Sequence, residues 1–484
     1  MKKYIVLSLA ALSFLTTTGC MDDYLNEPSA SGIGALTPGD AYGTVEGATA
    51  TMAGLLKLQR GQWVETEGGS ASTDAGGLYA ILFARTVKGS DVQLIGSWYN
   101  FDYDNDNREP TYRRTTFNWK FPYMMISKLN QFIEGVENST TIADAEKVDF
   151  IAQGKAMRGF YYHQLALEFN HAYKYNEDAP APPVYTTLTP EGKPMGTLKE
   201  LYQQITSDLE YAVANSSQSR IDNSWVNKNV AAAMLANVYL SMENWAKAGE
   251  MAKIAYNNNI STAMHGLDTY KASGFDDYTD KEWLWSMPQR GDQTNYYYAA
   301  PHVFMDYGPG YNNGFVNSDF YAKFADNDLR KSSVKVTSAS LEITDPRYFK
   351  STKFKFAFTS SMPIYRTPEF ILVAAEAAYH QGNTGEANDI LNQFKANRYT
   401  GYQAQNLTGT ALLEEILLER RKELFGENGV EWFDAKRLQR GINRTGNHAI
   451  LKDLSPNDKR FILKIPQVEI DNNPYIDESV NNDR

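Results

Sequence analysis

Cysteine is almost missing from this chain: Cys20 is the only one in 484 residues. No disulfide framework is available, so the fold must be held by a core large enough to need none. Long apolar runs are missing too. After the N-terminal segment no stretch approaches the roughly 20 apolar residues that a membrane-spanning helix requires. The six histidines are scattered, and none falls into His-Glu-x-x-His or another paired metal spacing, since His163 and His171 lie eight apart. Nucleotide and esterase signatures are equally lacking, with no Gly-x-x-x-x-Gly-Lys-Ser/Thr loop and no Gly-x-Ser-x-Gly elbow, and Gly308, Gly310 and Gly314 are wrongly spaced for a dinucleotide turn. Positive charge is in deficit. A formal charge of −11, more negative still once Lys2 and Lys3 are removed, argues against nucleic acid, whose phosphates need a basic face.

What is present begins with an export signal. Lys2 and Lys3 precede an apolar run from Tyr4 to Leu15, and small residues then lead to Gly19 and Cys20. Thr17-Thr18-Gly19-Cys20 resembles a bacterial lipobox, with Thr17 where Leu is usual. Residues 1–19 are therefore expected to be cleaved before Cys20, the thiol to be acylated, and the mature protein to be held to the membrane by its lipid alone. Residues 20–40, rich in Gly, Ser, Ala and acidic groups, read as an extended tether.

Beyond the tether the apolar periodicity is helical. Val148, Ile151, Ala152, Ala156, Phe160 and Leu167 predict a helix over 145–169, and Leu201, Ile205, Leu209 and Val213 predict another over 198–213 capped by Thr197. Proline-rich 178–194 must be loop between them. Ala236, Tyr239, Ala248 and Ala255 fall at the small and aromatic positions of a tetratricopeptide pattern of about 34 residues. A second helix pair spans 370–380 and 384–397, and a third spans 411–425 and 430–440, closed by Gly441. The pairs are scattered in sequence, so a simple solenoid is not expected. The fold class is all-α, with helix pairs as scaffold and long irregular loops around them. A single domain is expected over 41–484, with an N-terminal half at 41–257, a loop-rich region at 258–363 and a C-terminal part at 364–484.

Aromatics carry the functional signal. Tyr (31), Phe (23) and Trp (8) make up 13% of a chain whose mean hydropathy is only −0.48, so many rings must lie near solvent. They crowd into the irregular stretches, at 89–119 and 258–363, where binding residues tend to sit. Flat apolar faces of sugars stack on such rings while hydroxyls pair with Asn, Asp and Arg. Trp98, Tyr99 and Asn100 are the first candidates for contact with a glycan, followed by Tyr296, Tyr297, Tyr298, Tyr307 and Tyr311, with Arg85 as a polar contact. Asp102, Asp104 and Asp106 alternate like the start of a calcium loop, but Asn107 and Arg113 stand where Gly and Glu belong. No metal or cofactor is expected. Glu419, Arg420, Arg421, Lys422 and Glu423 with Asp434, Lys436 and Arg437 read as an ion network locking two helices rather than as an active site.

Several stretches resemble one known family. Cys20-Met21-Asp22-Asp23-Tyr24-Leu25, Ala156 to Tyr162, Tyr202 to Ala212, Ala375-Glu376-Ala377, Glu419 to Leu424, Glu431 to Arg437, and Ile465 to Ile470 before Asn473-Pro474 are similar, in order and spacing, to the SusD/RagB family of nutrient-binding lipoproteins of Gram-negative bacteria. The resemblance implies an all-α fold packing against a SusC-like TonB-dependent transporter, a loop-built ligand face, and an outer-membrane lipoprotein facing the cell exterior. It also implies that Asp22 and Asp23 form a surface-export signal, and that no chemistry is catalysed. Gly426-Glu427-Asn428-Gly429 stands where the family more often has a compact Phe-Glu-Gly turn. Ligand residues vary across the family, so an oligosaccharide stays the leading expectation, with a peptide ligand, a surface glycosidase or a protein-only scaffold as alternatives.

Overall fold

The computed structural model describes residues 38–61, 74–96, 98–291, 302–306 and 313–484. Cys20, Asp22, Asp23, Tyr296, Tyr297, Tyr298, Tyr307 and Tyr311 lie outside them. A short helix, Pro38–Tyr42, begins inside the span expected to be tether.

Helix α1 (Val45–Gln59) starts at Thr44, whose hydroxyl accepts from the Gly47 amide. Helix α2 (Leu78–Lys88) follows and is buried at every position. A helical array then runs through α3 (Arg113–Glu137), α4 (Asp144–Phe169), α5 (Leu198–Asn215), α6 (Lys228–Ser241), α7 (Trp245–Ala255), α8 (Thr367–His380) and α9 (Thr384–Ala396). Each packs against the next. Helix α10 (Gly409–Leu424) lies against α8, and α11 (Val430–Arg437) joins α10 to α2.

The expected helices over 145–169 and 198–213 are found as α4 and α5, and Thr197 caps α5 in a reciprocal box with Glu200. All three helix pairs form. Their scattering in sequence, however, hides an arrangement that is consecutive in space, because α7 packs directly on α8 across the whole excursion 256–366. Small side chains permit the approach: a Cβ on Gly249 would lie 3.1 Å from that of Ala377. The stretch 89–119, read as loop, is helical from Arg113 onward.

The excursion is not structureless. It supplies strands β2 (Trp283–Met287), β3 (Gly314–Val316), β4 (Val334–Val336), β5 (Phe349–Ser351) and β6 (Met362–Arg366), while β1 (Val92–Leu94) comes from the loop after α2. Strands β1, β3, β5 and β4 form an antiparallel sheet in that order, and β2 pairs with β6. These strands are short, and β1, β2, β3 and β6 are buried on both faces, so they show no alternation to read.

A buried ion network fastens the excursion to the array. Glu423 of α10 accepts from Arg366 at 3.0 Å and from Arg398 at 2.9 Å, while Glu419 meets Arg330 at 2.5 Å, with none of these side chains more than 2% exposed. Glu427 takes Arg366 and Lys353, each at 2.7 Å. Asp434 bridges Arg420 and Arg437, and Arg437 grips both oxygens of Glu376 at 2.8 Å. The charged cluster is thus a lock, as its spacing indicated, and it spans the loop region as well as α10 and α11. The turn over 426–429 uses left-handed backbone at both glycines, with φ of 78° and 73°.

Candidate ligand-binding face

Helix α2 runs into β1, and the chain then turns through Gly96 into a single helical turn, Asn100–Tyr103. Two links hold the start of this turn to β3: the Ile95 amide donates to the Asn313 carbonyl at 3.0 Å, and the Asn313 amide group donates to the Gly96 carbonyl at 3.1 Å.

Exposure varies sharply from residue to residue along this segment. Trp98 is 52% exposed and Phe101 65%, three residues apart, whereas Tyr99, Asp102 and Tyr103 are sealed from solvent. Trp98 precedes the helical turn and Phe101 lies within it, so two rings close in sequence meet water, with half-buried Asn100 between them.

The inward side is fixed on every residue. The Tyr99 ring meets Phe83 at 4.9 Å and Phe304 at 5.1 Å, both edge to face, and the Arg114 guanidinium lies 5.3 Å from it. Arg114 also grips both oxygens of Asp102, at 3.0 and 2.9 Å, with neither side chain accessible. Tyr103 shares a hydrogen bond of 2.9 Å with His448 Nδ1, and its carbonyl accepts from Arg444 at 2.5 Å. The inner side of the segment is therefore held by contacts to α2, α3 and the C-terminal loop.

Two candidates are corrected. Tyr99 belongs to the core, because the turn that exposes Trp98 and Phe101 points the intervening ring inward. Arg85 is also interior, its Nε donating to Glu168 Oε1 at 2.5 Å and its Nη1 to Gln164 at 2.8 Å. Burial alone would raise the Glu168 carboxyl; the combined field of Arg85, Lys88 and Lys436 overrides it and holds the group at about 2. Phe101 was missed by sequence reading. A helix of four residues leaves no period in the sequence that could have singled it out.

Three other groups that could bear chemistry, Asp102, His163 and His448, are committed to structure. Asp102, which opens the acidic alternation, is consumed by Arg114. His163, buried in α4, is held neutral at about 3 by desolvation and by Arg85, and His448 at about 4. Among the described residues no group of three or more His, Cys, Asp or Glu is placed to hold a metal ion.

Comparison with known proteins adds the following. Residues 75–240 match a family model described as starch-binding associating with outer membrane, and residues 342–481 match one described as the SusD family. A SusD-like protein P2 of Formosa agariphila is 24% identical over 408 residues, covering 73% of this chain and 77% of that one. A solved SusD-like carbohydrate binding protein from Bacteroides vulgatus superposes with a TM-score of 0.79 at 25% identity, over 91% of this chain and 98% of its own. A SusD superfamily protein from Bacteroides thetaiotaomicron gives 0.78 at 24% identity, over 90% and 99%. A surface glycan-binding protein A from Bacteroides uniformis shares the fold, with a TM-score of 0.69 at 17% identity over 90% and 100%.

Proposed function

The chain belongs to the SusD/RagB family, and from that premise we propose that it captures oligosaccharides on the face carrying Trp98 and Phe101 and passes them to a transporter. The observation that carries this reading is the pair of exposed rings on a turn whose inner side is locked by Tyr99, Asp102 and Tyr103. An exposed Trp is costly to leave in water, and a face of two rings backed by fixed polar chain suits the apolar side of a sugar. Asn100 supplies an amide beside them for a hydroxyl.

Binding without turnover is the proposed activity. The strongly buried carboxylates Glu168, Glu419, Glu423, Glu427 and Asp434 are each engaged by Arg or Lys, which fits structural use rather than acid–base chemistry at an open cleft.

The proposed setting is the outer surface of an outer membrane. No helix among the described residues is long and apolar enough to cross a membrane. Attachment would come from an acyl chain on Cys20 after removal of residues 1–19, with Asp22 and Asp23 directing export, residues 20–40 as tether and the domain over 41–484. A SusC-like TonB-dependent barrel is the proposed partner, since capture at the surface is useful only beside a route inward.

The test is affinity electrophoresis of the purified mature protein against a panel of polysaccharides, with peptides as competitors. Retardation by at least one glycan, relieved by its oligosaccharide and not by peptides, is expected. Relief by peptides alone would assign the face to the peptide-binding alternative.

A further inference from the structure

Away from the aromatic face, a narrow, partly open cavity of about 40 Å³ lies where α2, α4, α6, α8, β6 and the start of α11 converge. Its lining is more apolar than polar, and the polar part comes from Arg85, His163, Gln164, Asn237, Tyr365 and Glu369. Arg85, Asn237 and Glu369 are 3%, 6% and 3% exposed. Each spends part of its hydrogen-bonding capacity inside the protein: Arg85 on Glu168 and Gln164, and the Asn237 amide on Glu369 Oε1 at 3.0 Å. Each also keeps one atom without a protein partner, namely Arg85 Nη2, Asn237 Oδ1 and Glu369 Oε2.

One donor and two acceptors left unmatched among the residues that line one small cavity form a recognisable chemistry. Native interiors rarely leave such atoms unpaired, and a cavity of roughly 10–15 Å³ per molecule with two to four polar partners holds water. Organic ligands need several hundred Å³, so they are excluded by size. A cation is disfavoured by the Arg85 guanidinium in the same lining.

We propose that this cavity is a built hydration site, in which a cluster of two or three waters accepts from Arg85 Nη2, donates to Asn237 Oδ1 and bonds Glu369 Oε2. The waters would join segments that only the fold brings together. Arg85, His163 and Asn237 lie in the N-terminal stretch 75–240, and Tyr365 and Glu369 in the stretch 342–481. The cluster would thereby seat α2, the helix that leads into β1 and the Trp98 turn.

Glu369 gives the site a second property. Its carboxyl is pushed up to about 7, chiefly by burial. The charged and titratable groups around it are Arg85 on α2, His163 on α4, Tyr365 on β6, Arg420 on α10, Glu427, and Asp434 on α11. A protonated Oε2 can donate to water, so the cluster has a bonding pattern for either state of the acid.

A crystal structure of the mature protein at a resolution that places ordered solvent tests this directly. Two or three density peaks within hydrogen-bond distance of the three named atoms are expected, and Glu369→Met, which projects a methyl-capped chain into the cavity, should lose at least one. A dry cavity in the unsubstituted protein, or Arg85 closed directly onto Glu369, would overturn the proposal whether or not the variant folds. Neither result bears on glycan retention, so this proposal can fail without touching the binding assignment.

Discussion

Arg366 and Glu423 meet 3.0 Å apart with both side chains wholly inaccessible to water. Arg366 ends β6 just before α8, and Glu423 lies near the end of α10, so the pair ties the loop excursion to the C-terminal helices. Burial raises the cost of ionising Glu423, and Arg398, Arg366 and Arg330 more than compensate, leaving its carboxyl well below the usual range. Arg366 adds Glu282 at 3.1 Å and Glu427 at 2.7 Å, so its loss would take one cation from three buried acids at once, leaving Arg398 and Lys353 to hold them. Arg366→Met is expected to destabilise the fold by about 3–5 kcal/mol. Chemical denaturation, read as a fall in midpoint at unchanged slope, checks it.

Acid should dismantle the same framework. Glu419, like Glu168, is held at about 2, burial opposing its charge and the cations Arg330, Lys422 and Lys395 prevailing. A depressed carboxyl contributes stability that is complete above its unfolded value near 4.5 and is lost as pH falls toward 2. Each group accounts for on the order of 3 kcal/mol at most. Thermal melts between pH 7 and pH 2 should show Tm falling steeply below about pH 4.5; a flat profile would mean that the cluster adds nothing to stability.

Glu369 should act with the opposite sign. Its folded value, about 7, lies above the unfolded one, so the stability it allows is full below about 4.5 and declines as pH rises through 7. Glu369→Gln, which keeps the hydrogen bond from Asn237 but cannot ionise, should remove that decline. Comparing the Tm of the two proteins at pH 5 and pH 8 measures it: near equality is expected at pH 5, and a higher Tm for the variant at pH 8.

Gly429 occupies left-handed backbone with φ of 73°, and a Cβ there would collide with Arg85 Cβ. Gly429→Ala is expected to cost more than about 2 kcal/mol through both effects. Gly429→Asn separates them. Asn tolerates the backbone, so if the collision dominates it should rescue nothing in a denaturation midpoint.

Anchoring has its own test. Cys20→Ala should move the protein from the membrane to the soluble fraction of cells, whereas continued sedimentation with membranes would refute acylation at Cys20.

Helix α5 was legible because one face meets water and the stripe survives in the sequence, whereas α4 meets water only in its first turns and is buried nearly all round from Phe150 onward, so its apolar spacing showed only part of what it buries. Helices α6 and α8 were found through small residues such as Ala236 and Ala375, since burial on nearly all sides leaves little stripe to see. Their adjacency through α7 was not legible, because contact across the excursion 256–366 leaves no local mark. Trp98 was found from composition, but Tyr99 and Phe101 could be told apart only by the phase of a single helical turn, which the locks on Asp102 and Tyr103 set from distant segments.

The most direct measurement is glycan retention by Trp98→Ala and Phe101→Ala in affinity electrophoresis, each paired with a thermal melt. Both substitutions should weaken retention by about 1–3 kcal/mol while leaving Tm nearly unchanged. Full retention by the double variant, or weakened retention that tracks a lowered Tm, would contradict the assignment of this face to ligand.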